Sequence, residues 1–187
     1  MFDGSAAERI KERRRNAVDP EAFLLDIDAI QPTDGEEGLQ FTPKFAERVE
    51  NRLNRLQVDG VEPTDIGSIF GVSDDNVSKS DRSYPAYKTG STVRSWPSAG
   101  AVQLDVAVDK SIRAVTDEWT DVPSRQRYRI LQSLRSFQEQ CLFCTGALSI
   151  SDQTVESCCS NVEVVTISCT DCGRRFLEFT PDSVPEV

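Results

Sequence analysis

Apolar positions fall in short helical stripes over the first three quarters of the chain and in alternating runs after residue 141. Residues 5–18 (SAAERIKERRRNAV) predict a polar helix with no continuous apolar stripe, an arm or docking segment. Asp19-Pro20 supplies an N-cap and a first-turn proline for a short helix to about Ile30, burying Phe23, Leu24 and Ile27. Gln31–Gly38 (QPTDGEEG) has no periodicity and reads as a linker. Thr42-Pro43 repeats the cap and opens a helix to about Leu56 with Phe45, Val49, Leu53 and Leu56 on one face. Pro63-Thr64 starts another. Ser98 caps a helix in which Ala101, Leu104, Val108, Ile112, Val115 and Trp119 align, and Asp121-Val122-Pro123 opens the last, reaching about Gln140. Its inward residues are Tyr128, Leu131, Leu134 and Phe137. The pattern predicts an α+β protein: a mainly helical body followed by a small β-unit, in three parts (1–37, 38–138 and 139–187).

The six cysteines change the picture of the β-unit. All lie between residues 141 and 172. Cys141-Leu-Phe-Cys144-Thr-Gly146 and Cys169-Thr-Asp-Cys172-Gly173 are C-x-x-C turns, each with glycine soon after the second cysteine. A two-residue spacer lets both thiolates of a pair face one tetrahedral ion, and glycine permits the positive φ that frees backbone amides to donate to sulfur. Leu148–Ile150, Val162–Ser168 and Phe176–Phe179 are the expected strands. This arrangement resembles a zinc ribbon over about residues 139–180. The resemblance implies Cys141, Cys144, Cys169 and Cys172 as ligands to one structural Zn2+, with no open position for water and so no metal catalysis. Cys158 and Cys159 depart from that pattern: they read as a small buried residue and a bystander, or as extra thiols that substitute for a ligand or play a redox role.

A second motif lies in the body. Residues 65–77 (DIGSIFGVSDDNV) resemble the bihelical core of helix-turn-helix regulators, with Gly67 at the close approach of two helices, Gly71 in the turn and Ser73 capping a second helix. With helix 43–56 this predicts a three-helix unit over about 42–81. Asp74 and Asp75 at the start of the second helix suit phosphate contact poorly, and Ser80 stands where an apolar residue usually closes the unit.

Charge adds a setting and a surface. The 187 residues carry 31 Asp and Glu against 21 Lys and Arg, a net charge of −10, and only five of the cations are Lys. An acidic, Arg-favouring chain resembles haloarchaeal proteins, for in molar salt the Debye length falls to about 3 Å and dense carboxylates repel one another little. As a whole the chain resembles small haloarchaeal zinc-ribbon proteins. Within it, residues 76–101 hold four cations against one acid and residues 122–138 four against none. The first island interleaves Lys79, Arg82, Lys88 and Arg94 with Tyr87 and Trp96, cations for phosphate and rings for unpaired bases; Arg125 and Arg129 share a helix face in the second. The alternative is a loop whose rings cover the core and whose cations pair with nearby acids.

No histidine is present, which excludes Ser-His-Asp and Cys-His catalysis and His-based zinc hydrolases. Neither a phosphate loop nor a dinucleotide fingerprint occurs. No apolar run has the length of a membrane helix or the position of a signal sequence, which predicts a cytoplasmic chain. The expectation is a non-catalytic zinc-ribbon binding protein: a nucleic-acid-associated or regulatory adaptor, or else a protein-docking or assembly factor, with no small-molecule substrate and with cysteine redox chemistry as its only enzymatic foothold.

Overall fold

The computed structural model describes residues 6–33, 38–138, 140–156 and 161–180. Among these are six α-helices and three small antiparallel sheets. Helix α1 (Ala6–Arg15) precedes α2 (Pro20–Asp26), whose first turn is closed by the Asp19 carboxylate accepting from Ala22 N–H at 2.9 Å. Strands β1 (Ile30–Pro32) and β2 (Leu39–Phe41) pair around the segment expected as linker. Ile30 is buried there and pairs with Phe41, so the flanks of that segment are a hairpin. Its acidic centre, residues 34–37, lies outside the described residues.

Helix α3 (Pro43–Asp59) carries the expected stripe, and Phe45, Val49, Leu53 and Leu56 are all buried. Thr42 caps it: its hydroxyl accepts from Phe45 N–H and donates to the Asp28 carbonyl at 2.7 Å, tying the helix to the end of α2. Gly60, at φ 83°, ends it. Helix α4 (Pro63–Phe70) then runs to Gly71, at φ 67°.

Here the structure corrects the helix-turn-helix reading. Gly71 takes the turn as expected, but Gly67 approaches loop backbone rather than a second helix: a Cβ there would lie 2.7 Å from the Val72 carbonyl oxygen. No second helix follows. Residues Asp74–Asn76 form one 3-10 turn, held by Asn76 donating to the Ser73 hydroxyl at 2.8 Å, and Val77–Lys79 is strand β3. The reason is visible in composition: over Ser73–Ser80 only Val77 is apolar, so a helix there would have no face to bury. Val77 is buried instead by pairing with Thr89 in a sheet of β3, β4 (Ala86–Thr89) and β5 (Thr92–Ser95).

Helix α5 (Ala99–Arg113) is the centre of the body, enclosed on nearly every side. Two of its carboxylates are buried, each holding an indole and a guanidinium. Asp105 accepts from Trp96 Nε1 at 2.7 Å and pairs with Arg135; Asp109 accepts from Trp119 Nε1 at 2.8 Å and pairs with Arg113. Helix α6 (Ser124–Leu134) packs on α4 through Arg127, which is buried and donates to the carbonyls of Ile69, Trp119 and Thr120. Strands β6 (Leu148–Glu156), β7 (Asn161–Cys169) and β8 (Arg175–Phe179) form the C-terminal sheet in that order. No helix among the described residues is long and apolar enough to cross a membrane.

Candidate metal centre

Two tight turns carry the four thiols. In the first, Cys141 N–H donates to the Gly146 carbonyl and Thr145 N–H to the Cys141 carbonyl. In the second, Cys169 N–H donates to the Arg174 carbonyl and Gly173 N–H to the Cys169 carbonyl. Gly173 takes the positive φ, 68°, as its sequence position implied. In the first turn that conformation falls on Thr145, at φ 60°, and Gly146 serves a different purpose. A Cβ at 146 would stand 2.5 Å from a carboxylate oxygen of Asp171, so glycine there lets the two turns close on each other. Thr170 completes the link, its N–H donating to the Ala147 carbonyl at 2.9 Å.

The turns bring Cys141, Cys144, Cys169 and Cys172 together, all four Sγ atoms within 4.8 Å of one another. Cys141 and Cys172 are 3.7 Å apart and Cys144 and Cys169 3.4 Å, well beyond a disulfide bond. Four sulfurs bound tetrahedrally at ~2.3 Å would stand about 3.8 Å apart, so the set fits a single thiolate-bound ion. Cys172 N–H points at Cys169 Sγ over 3.5 Å, the amide-to-sulfur donation that such a turn provides. Cys141 and Cys169 are buried and Cys144 is exposed. Burial pushes the Cys141 thiol up to about 12. Burial also acts to raise Cys172, but hydrogen bonds from Arg174 and the neighbouring thiols outweigh it and bring that thiol down to about 6. Cys158 and Cys159 lie outside the described residues.

The centre is built onto the body. Phe143 stacks on Phe176 and carries the Arg174 guanidinium 4.7 Å from its ring centroid. Both meet the first turn of α5 at Gly100, where a Cβ would lie 3.0 Å from Arg174 and 3.4 Å from the Phe143 ring. Arg135, paired with Asp105 in the core, also donates to the Phe176 carbonyl. These anchors were missed by pattern reading. The available signal was Asp105 and Asp109 lying inside the apolar arc of α5, where a carboxylate needs a buried cation.

Only part of the expected basic and aromatic set comes together, Lys79 and Arg82 beside Tyr87. Tyr87 and Trp96 are buried, packed edge-on to each other, so their faces are not open to bases. Alternation across β3, β4 and β5 puts Lys79, Tyr87 and Arg94 in one cross-strand row and Ser78, Lys88 and Val93 in the next, on the opposite face of the sheet. Arg94 lies over the rings of Phe70 and Tyr128. Lys79, Arg82, Lys88, Arg125 and Arg129 are exposed.

Comparison with known proteins matches two family models. Residues 19–136 match the central domain of a family of unknown function, DUF8054, and residues 139–179 match the C-terminal domain of the same family. No curated protein and no solved structure matches the chain. The first match spans the helical body and the second the cysteine-bearing sheet, and the chain belongs to the DUF8054 family.

Proposed function

We propose that this chain is a non-catalytic zinc-binding protein in which one structural Zn2+ fastens a C-terminal ribbon to a helical body, giving a single binding surface. The observation that carries this reading is the cluster of four cysteine sulfurs within 4.8 Å. An all-thiolate set favours Zn2+ over hard cations and leaves no coordination position for a reacting water. The ion would be held by Cys141 and Cys144 from one turn and Cys169 and Cys172 from the other. The acidic surface supports a high-salt cytoplasm as the setting, where screening relieves the self-repulsion of a −10 chain.

The purified protein is expected to carry one zinc per chain by native mass spectrometry and elemental analysis. Cys141→Ser, removing a buried ligand, should lose the ion and destabilise residues 140–180 without unfolding the body. A chain that binds no metal under reducing conditions, or a Cys141→Ser protein fully metallated and equally stable, contradicts the assignment.

A further inference from the structure

Where the second cysteine turn meets the body there is a groove of about 750 Å³. One wall is Lys79 at the end of β3 with residues 82–85, the floor is the first turn of α5, and the other wall is Cys172–Arg175. Among the described residues four cations line it, Lys79, Arg82, Arg174 and Arg175, and no carboxylate does, in a chain where acids outnumber bases 31 to 21. Lys79 and Arg82 come from the first basic island, whereas Arg174 and Arg175 lie nearly a hundred residues away and reach the groove because they follow Gly173 directly. The positive end of the 15-residue α5 opens on the same space.

Three of the four cations are arginines, whose planar forks match phosphate oxygens. Tyr84, 40% exposed, adds an accessible ring to the same wall. The Arg82 guanidinium donates to its hydroxyl at 2.8 Å and lies 5.8 Å from its ring centroid. Arg175 also pairs with Glu178 at 2.6 Å, both side chains part-exposed, a contact that an incoming anion can replace at little cost.

We propose that this groove binds the phosphate backbone of a single-stranded nucleic acid, with Tyr84 as a stacking face. Cations with an exposed ring are the combination that single strands require. Its volume of about 750 Å³, within the ~300–1,000 Å³ range of small-ligand sites, has room for a short stretch of one strand. The inference rests on the zinc reading in one respect: the bound ion orders the turn that presents Arg174 and Arg175.

The test is fluorescence anisotropy of short labelled oligo(U) and oligo(dT) against the metal-loaded full chain over stepped KCl, with circular dichroism confirming the fold at each step. Binding is expected with a slope of log K against log salt of roughly −3, four cations each releasing ~0.7 counterion on a single strand. Lys79→Gln with Arg82→Gln should roughly halve that slope, and Lys79→Glu with Arg82→Glu should weaken binding about tenfold or more. Lys88→Glu with Arg125→Glu changes net charge equally, lies outside the groove lining, and should leave affinity within about threefold. Tyr84→Ala should cost about fivefold or more through lost stacking. No binding, equal loss in both charge-reversal pairs, binding of a free mononucleotide but not of a strand, or competition by poly-glutamate as strong as by the strand would each overturn the proposal. Zinc content is measured on every sample, so a folded, zinc-loaded chain that ignores the strand refutes the groove alone, whereas a zinc-free chain refutes the metal reading.

Discussion

Asp105 is 1% exposed and holds three groups at once: the Trp96 indole, the Arg135 guanidinium and, through Arg135, the Phe176 carbonyl of the C-terminal sheet. Removing the carboxylate leaves a buried cation without its counter-charge and an indole N–H without an acceptor. Asp105→Ala is therefore expected to lower the unfolding free energy by about 3–5 kcal/mol, read as an earlier denaturant midpoint of the metal-loaded protein. Asp105→Leu with Arg135→Met should recover most of that loss, because no isolated charge remains, but not the ~1–3 kcal/mol of the unsatisfied Trp96 N–H. If the single substitution is neutral, Asp105 is not the junction of body and sheet. Such residues were illegible in the sequence because their partners stand 9 and 30 positions away and a polar letter reads as surface by default. Tyr87 and Trp96 show the converse ambiguity. Rings spaced among cations fit both a stacking platform and a strand covering the core, and only the register of β4 and β5 distinguishes the two.

Local signals served better at the level of elements, since a cap or a stripe is complete within a few residues. Thr42-Pro43 and the Phe45, Val49, Leu53 and Leu56 stripe specify α3 by themselves, and the paired C-x-x-C turns specify the cysteine cluster. The α4 segment marks the limit. Its glycine spacing matches a bihelical turn because close approach is needed there, but the approaching chain is the Val72 backbone leading into a strand. Gly67→Ala would gain up to ~1 kcal/mol of helix propensity and yet push Cβ to 2.7 Å from a carbonyl oxygen that cannot rotate away. A net loss of about 1–3 kcal/mol is expected, measured by thermal or chemical unfolding. A stabilised Gly67→Ala protein would mean that the α4-to-β3 turn has room that its geometry denies.

Body and C-terminal sheet share one hydrophobic core, for Cys141, Cys169 and Phe176 belong to the same buried cluster as α3 and α5. Loss of the ion should therefore be felt beyond the thiols, along a path the contacts define. The four thiolates need their mutual repulsion neutralised, and without the ion Cys141, pushed up to about 12, takes back a proton at any lower pH. Cys172, held near 6, takes one only when the medium is more acidic than that. Metal affinity should therefore fall as pH falls, and the fall should steepen by about one proton below pH ~6, measured by competition with a chromophoric chelator. Hydrogen exchange after metal removal should rise in residues 140–156 and 161–180 and at the first turn of α5, where Gly100 faces Phe143 and Arg174. It should stay unchanged at the centre of α3, which Arg52 ties to Ser111 at the far end of α5. A rise spread evenly over all helices would make the ion a condition of folding for the whole chain, and a rise confined to the two cysteine turns would make the sheet independent of it. The intermediate pattern is the one that the Gly100 contact and the Arg135 bridge require, and it would place the metal in control of the wall that carries Arg174 and Arg175.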